Sequence, residues 1–401
     1  MILRHQLPVY SPLTLRSILA GWKALVQRDS QATEVVQGLV SGKYGTRDVL
    51  LTDSGTSALT LAIRELCRPV AKRLVALPAY GCYDIATAAD GADVDVLLYD
   101  VDAQTLGPDL ESLARALEQQ PAAVVIAHLY GIPVDLDAVL ALCRRYDVAV
   151  IEDAAQGFGA RYSNRPLGSF GAFAVLSFGR GKGITGGGGG ALLVAHDRYS
   201  EAFKKTTGRI GSSRRGLKEL VGATAQLILG SPRTYGLPAS LPFLHLGETV
   251  YRDPAPPSRM ATSVASVLSS SWALAAGEGT CRRRNAALIS EFVERSEIAD
   301  NIRVPETAGP SYLRFPILVS GGNEDRFSGP SAIRLGVMPG YPKSLSDLSG
   351  FFDRCCNRDA DLPGARTLAS RLFTVPTHSR VSTRDLIGLE ALICDTSASE
   401  Q

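Results

Sequence analysis

The sequence predicts an α/β chain: a mainly parallel central sheet flanked by helices, followed by a smaller α+β C-terminal domain. Three observations lead there. Between about residues 48 and 195, short apolar runs alternate with helical patterns. The runs read as strands buried on both faces, the mark of a parallel sheet covered by helices. Beyond a Pro- and Gly-rich stretch ending in RDPAPPSRM, the order changes to a helical region, a strand and further helices.

RDVLLTD reads as the first strand, and TSALTLAIRELC as an amphipathic helix with Leu59, Ala62, Ile63 and Leu66 on one face. RLVALP, VDVLLYD, AAVVIAHLYG and VAVIEDAA read as buried strands, with DLESLARALEQQ and DLDAVLALCRRY as the helices between them. GGGGGALLVAHD runs from glycine into a strand. Residues 203–258 read as an inter-domain region: a basic patch (Lys204, Lys205, Arg209, Arg214, Arg215, Lys218) precedes the apolar LVGATAQLILGSPRTYGLPASLPFL. A helical region at about 260–295, the strand YLRFPILV, the helical GARTLASRLF, the turn VPTHS and the helix STRDLIGLEALI complete the chain. The expected domains are 1–245, with an N-terminal arm and a basic and apolar insertion near 203–245, and 246–401.

The chain has 401 residues, of which 45% are hydrophobic, enough for a large domain and a smaller one. A net charge of +2 provides no global pull toward nucleic acid or an acidic membrane. No run reaches the roughly 18 apolar residues that span a bilayer. Arg16 and Lys23 interrupt the apolar N-terminal stretch, which argues against a signal peptide. The seven cysteines are scattered and form no CxxC pair, so neither a disulfide framework nor a metal site is indicated, and a cytoplasmic location is expected.

The chemistry concentrates around SFGRGKGITGGGGG, where Lys182 stands among glycines. A phosphate-cradling Walker loop fails here, because Leu176 occupies its first glycine place and Gly183 its Ser/Thr place. Gly181, Gly183 and Gly186 match the letters of a dinucleotide fingerprint, but the segment opens a strand rather than a helix. Two other segments bear on Lys182. VAVIEDAAQG sets Glu152 and Asp153 at a strand end, either at the binding edge of the sheet or as an ordinary helix cap. LTDSGTSALTLAI sets Gly55, Thr56 and Ser57 at a strand-to-helix turn, either as a phosphate seat or as a plain cap. DSGT also has the letters of the aspartic-protease tetrad, yet no second DSG or DTG supplies the partner carboxylate. Together, a phosphate seat, a buried acid and a lone lysine match a pyridine aldehyde with a phosphate arm. The lysine would form a Schiff base with the aldehyde, and the acid would hold the ring nitrogen protonated. The surrounding glycines would let cofactor and substrate approach the backbone.

The motifs DSGTSAL, LPAYGC, YDVDAQTLGPDL, AHLYGIPVDLDAV, VIEDAAQGFGARY, LGSFGAFAVLSF and Lys182, in this order and spacing, resemble those of the DegT/DnrJ/EryC1/StrS aminotransferases. The resemblance runs nearly end to end and recurs in YLRFPILV and LFTVPTHSRVS. It implies the fold of the fold-type-I pyridoxal 5'-phosphate enzymes, with Lys182 and Asp153 catalytic. Lys182 would carry the cofactor and move the proton, and Asp153 would pair with the ring nitrogen. Gln156 would bond near the ring hydroxyl, while Gly55, Thr56, Ser57 and Ser177 would hold the phosphate. Where the family has an aromatic ring over the cofactor, this chain has Cys82; Tyr80 and Tyr83 both stay open as substitutes. Gly188 stands where many relatives have glutamate. In PPSRM, Arg259 is kept and Pro257 stands where an asparagine reaching the neighbouring subunit is expected.

Three further residues are candidates for substrate binding: His128 at a strand end, Arg259, and His378 in the late Pro-x-His turn. Each histidine has an alternative reading as a hydrogen-bonded scaffold residue. The basic patch reads as a solvated loop, with attraction of a diphosphate or of a membrane surface as alternatives. The resemblance implies an aminotransferase passing nitrogen from glutamate or glutamine to a keto sugar on a nucleotide, working as a homodimer. The rival expectations are another fold-type-I pyridoxal phosphate enzyme acting on amino acids, and a non-catalytic cofactor-binding homologue.

Overall fold

The computed structural model describes residues 4–27, 31–46, 48–68, 73–194, 199–212, 216–240 and 250–394. The strands in chain order are β1 (Val49–Thr52), β2 (Leu74–Pro78), β3 (Asp95–Tyr99), β4 (Ala123–Ala127), β5 (Ala149–Asp153), β6 (Arg161–Tyr162), β7 (Arg165–Pro166), β8 (Phe173–Ser177), β9 (Gly190–Val194), β10 (Ala299–Asn301), β11 (Ala308–Gly309), β12 (Phe315–Val319), β13 (Met338–Pro339) and β14 (Leu372–Val375). The helices are α1 (Leu15–Gln27), α2 (Gln31–Tyr44), α3 (Gly55–Cys67), α4 (Asp84–Ala92), α5 (Leu110–Glu118), α6 (Leu136–Arg145), α7 (Ser200–Arg209), α8 (Leu217–Leu229), α9 (Gly236–Ala239), α10 (Thr262–Ser271), α11 (Leu274–Glu294), α12 (Glu324–Ser328), α13 (Pro330–Arg334), α14 (Pro363–Arg371) and α15 (Thr383–Cys394).

The central sheet has the order β1-β9-β8-β5-β4-β2-β3. β8, β5, β4, β2 and β3 pair in parallel, and β9 runs antiparallel to both β8 and β1. The mainly parallel α/β reading is therefore correct. Successive side chains of a strand point to opposite faces, and the core divides accordingly. Leu77, Val125, Ile151 and Val175 pack with α3 and α4 on one face. Ala76, Val124, Val150 and Leu176 pack with α2, α5, α6 and α10 on the other. Every position of β2, β4 and β9 is buried, which explains their unbroken apolar runs.

α3 is buried well beyond the single face that its periodicity shows, with Thr60 and Glu65 also enclosed. It lies between the sheet and the neighbouring helices α4 and α7. Its start is set by Ser54, whose side chain accepts from the Ser57 N–H.

The C-terminal part builds a second sheet, β10-β12-β14-β13, packed on α11 and α15 through Ile289, Phe292, Ile317, Val375 and Leu389. α10 instead packs on α1 and α2. A small third sheet joins β11, β6 and β7. Residues 4–14 form a strap between the two parts. At one end Arg4 pairs with Asp385 of α15, and at the other the Ser11 hydroxyl donates to the Lys182 carbonyl at 2.6 Å.

The region read as inter-domain is largely helical. α8 has a face of small residues (Gly222, Ala223, Ala225), and it packs on α1 and α10 and borders the Lys182 loop. Arg214 and Arg215 of the basic patch and residues 241–249 lie outside the described residues, as do the side chains of Lys205 and Arg209. Among the described residues, no helix is long and apolar enough to cross a membrane.

Candidate active site

The C-terminal ends of the parallel strands are where an open α/β sheet leaves a crevice. There the structure holds a cavity of about 720 Å³. β5 ends in Asp153, β8 ends in Ser177, α3 begins at Gly55 and Thr56, and the loop after β8 carries Lys182; all five border the cavity, as does Gln156. Segments far apart in sequence thus converge because each follows a strand of one sheet.

Strand alternation separates the two acids at the end of β5. Glu152 is fully buried and points with Val150. It accepts from the N–H groups of Gly168, Phe170 (2.8 Å) and Gly171 (3.2 Å), and from His128 Nε2 at 3.1 Å. Asp153 points with Ile151 into the cavity. Among the described residues, its carboxylate accepts one hydrogen bond, from the Ala155 N–H at 3.0 Å. Burial raises the pKa of the Asp153 carboxyl above the ordinary carboxylate value, against the lowering effects of that bond and of Lys182.

Among the described residues, the Lys182 ammonium has no hydrogen-bond or ion-pair partner. The expected reason for the neighbouring glycines needs correction, because much of the space they leave is filled by protein. A Cβ on Gly187, whose φ is +84°, would stand 2.6 Å from the Glu219 carbonyl oxygen and 2.9 Å from the Ala223 Cβ. One on Gly188 would stand 2.7 Å from the Glu219 Cγ. The run lets α8 dock on the Lys182 loop, although Gly188 and Gly189 also border the cavity.

Gln156 is held at both ends of its amide: Oε1 accepts from the Tyr130 N–H at 2.9 Å, and Nε2 donates to the Tyr341 hydroxyl at 2.8 Å. Each end keeps one further hydrogen-bonding position. Cys82, rather than Tyr80 or Tyr83, borders the cavity. Burial, with Asp84 adding to it, pushes its thiol up to about 12. The hydroxyls of Tyr80 and Tyr83 instead accept from the N–H groups of Tyr341 and Lys343, both at the seam with the segment after β13. The two rings pack on Tyr341, 5.6 and 6.0 Å away.

Four other expected site residues are not brought to the cavity surface. Ser57 is buried in the first turn of α3, its N–H and Oγ bonded to Ser54. His128 donates to Glu152 and accepts from the Val134 N–H, so both ring nitrogens serve the scaffold. His378 donates from Nε2 to the Leu7 carbonyl at 2.9 Å, and burial drives its pKa down to about 3, which keeps the ring neutral. Arg259 is exposed and donates to the Thr207 carbonyl of α7.

Several residues bordering the cavity carry no motif: Leu7 and Val9 of the strap, Gln226 of α8, Tyr235, Arg180 and Arg252. Arg180, two places before Lys182, and Arg252, which opens RDPAPPSRM, stand near recognisable signals. The others arrive through contacts between segments that sequence spacing does not encode.

The family model of the DegT/DnrJ/EryC1/StrS aminotransferases matches residues 37–389, and the chain belongs to that family. The L-glutamine:2-deoxy-scyllo-inosose aminotransferase of Micromonospora echinospora is 29% identical over 302 residues, which cover 75% of this chain and 64% of that protein. Matches to curated relatives span from 33% to 64% of those relatives' lengths. The crystal structure of AtS13 from Actinomadura melliaura superposes with a TM-score of 0.76 at 20% identity, over 97% of this chain and 98% of that one. The E. coli GDP-4-keto-6-deoxy-D-mannose-3-dehydratase, solved with bound hydrated PLP, superposes with a TM-score of 0.73 at 16% identity, over 98% of this chain and 100% of that one. These likenesses establish the shared fold.

Proposed function

We propose that this family member is a pyridoxal 5'-phosphate-dependent aminotransferase that passes nitrogen from glutamine or glutamate to a keto sugar carried on a nucleotide. The observation that carries the reading is the convergence of Lys182, Asp153, Ser177 and the start of α3 on one cavity.

The residues fit the cofactor. Asp153 is an enclosed carboxylate with a single described hydrogen bond, suited to a protonated ring nitrogen. The start of α3 offers first-turn N–H groups and the positive end of its dipole, and Thr56 and Ser177 add hydroxyls, as a phosphate arm requires. Bound there, pyridoxal phosphate supplies an aldehyde that bonds nitrogen and a ring that withdraws electrons. Lys182 Nζ, free of a described counter-ion, takes and returns the proton at the substrate carbon. Asp153 holds its proton-bearing partner in place. Gln156, fixed by Tyr130 and Tyr341, offers its remaining lone pair and N–H.

The same reading includes the division into residues 1–245 and 246–401, with α10 of the second part packed back on α1 and α2 of the first, and a homodimer. α1 and α8, which pack together, expose Leu15, Leu19, Val26, Leu217, Val221 and Ile228, more apolar side chains than a solvated face ordinarily shows.

Borohydride reduction of the cofactor-loaded protein, followed by peptide mapping, is expected to leave the pyridoxyl mass on Lys182. Glutamine or glutamate should convert the cofactor to its amine form with release of the matching 2-oxo acid, whereas cysteine should release no sulfide. An unlabelled Lys182 overturns the reading. Cofactor binding without donor conversion would favour the non-catalytic alternative.

A further inference from the structure

Two arginines at the cavity are unused by the chemistry above. Arg180 and Arg252 both border it, both are exposed, and neither has a carboxylate or other side-chain partner among the described residues. Arg252 lies on the segment whose carbonyl accepts from the Thr87 hydroxyl of α4 at 2.9 Å. Arg180 lies on the Lys182 loop, against α8.

The contact of Arg180 with α8 is specific. A Cβ on Gly222 would stand 3.4 Å from Arg180 Nη1, 3.7 Å from Cζ and 3.8 Å from Cδ. The guanidinium therefore lies along the helix, and a side chain larger than alanine at 222 would displace it. A glycine inside a helix costs about 1 kcal/mol relative to alanine. Here it keeps the helix surface low beneath a planar cation that has no protein anion to bind. A guanidinium presents a fork of N–H donors matched to phosphate or carboxylate oxygens. Asp84 also faces the cavity, but pairs with neither arginine.

We propose that Arg180, laid across Gly222 of α8, and Arg252, on the segment bonded to α4, form the anion-recognition site that binds the diphosphate of a nucleotide-linked keto substrate. The proposal rests on the aminotransferase reading and adds what that reading leaves open: which residues tell a nucleotide-linked ketone from a neutral one. A diphosphate offers two anionic groups to two guanidinia, whereas the amino donor presents its carboxylates in the other half-reaction. The two half-reactions therefore separate the two sources of anion.

The test titrates UDP into the cofactor-loaded protein by calorimetry, for wild type, Arg180→Gln, Arg252→Gln and Arg180→Lys. Both arginines are exposed, so these variants should fold. UDP should bind the wild type with an affinity that falls as salt is raised. Each glutamine variant should bind UDP at least tenfold more weakly, as expected for losing a charge-assisted contact, and Arg180→Lys should recover part of the loss. The rate at which glutamine converts the cofactor to its amine form should stay within about twofold of wild type. The proposal is overturned if wild type does not bind UDP, if the glutamine variants bind it equally well, or if only the glutamine half-reaction slows, which would make the arginines a donor-carboxylate site. Failure of the aminotransferase reading shows differently, as an unlabelled Lys182 or an unconverted cofactor whatever UDP does.

Discussion

Glu152 and Asp153 are neighbours on β5 that face opposite sides of the sheet, one closed into a ring of four donors and the other open to the cavity. Two carboxylates of the same chemistry thereby acquire different work. The first ties the turn before β8 and His128 to the sheet, and the second is left to meet a ligand.

Replacing Asp153 should stabilise the empty protein while removing its activity. Burial raises the Asp153 carboxyl, so the folded state binds its proton more tightly than the unfolded chain does. Stability from this residue is therefore greatest below the ordinary carboxylate value of about 4 and is lost as pH rises through the folded value. Cofactor-free Asp153→Asn is expected to melt above wild type at pH 7.5, with the difference closing toward pH 4. A difference independent of pH in scanning fluorimetry would contradict this. The glutamine half-reaction of the variant should slow by about 100-fold or more.

Glu152→Leu should act on stability alone. It strands the N–H groups of Gly168, Phe170 and Gly171 and the His128 donor, each buried unpaired donor costing about 1–3 kcal/mol. A loss of at least about 3 kcal/mol is expected from the urea midpoint. The folded fraction should still carry its full complement of cofactor. Unchanged stability would mean that the ring of donors is satisfied elsewhere.

Gly188→Glu introduces the residue that many relatives carry there, and it should nonetheless destabilise this chain. Its Cβ meets the Glu219 Cγ, and overpacking of this kind costs about 1–3 kcal/mol. Adding Glu219→Ala should recover more than half of the loss. The two changes would then be coupled in a double-mutant cycle, whereas strictly additive effects would place Glu219 away from Gly188.

Cys82 should resist alkylation although it borders the cavity. With its thiol pushed up to about 12, it holds almost no reactive thiolate near pH 8. Iodoacetamide at pH 8 is expected to modify the exposed Cys356 at least about a hundredfold faster. The Cys82 rate should climb only as pH approaches the thiol's own value. Comparable labelling of the two, read by mass spectrometry, would refute the assignment.

Much of the fold was legible because its determinants are local. Unbroken apolar runs of four to five residues between helical periods allow little besides strands covered on both faces, and β1, β2, β3, β4 and β5 stand where those runs stand. The convergence of Lys182, Asp153 and the start of α3 was also readable, because parallel connections return every strand end to the same edge; Ser177 came in only through the family resemblance. What spacing could not decide was the direction of individual side chains. LPAYGC holds Tyr80, Cys82 and Tyr83 within four positions, and hydrogen bonds from Tyr341 and Lys343, more than 250 residues onward, draw the two rings away and leave the thiol at the cavity.

The amino-acid order by itself determined β1–β5, β9 and β12, the lysine loop and the acid at the end of β5, since hydrophobic period and turn chemistry act over a few residues; it did not show β14, which begins at Leu372 inside the segment GARTLASRLF that reads as helical. Only the tertiary structure decided that α8 lies on the glycine run, that the strap of residues 4–14 reaches Lys182, and that Arg180 and Arg252 share a cavity. Those outcomes depend on which surfaces exclude water against each other. That competition is settled between segments hundreds of residues apart, and no short window of sequence records it.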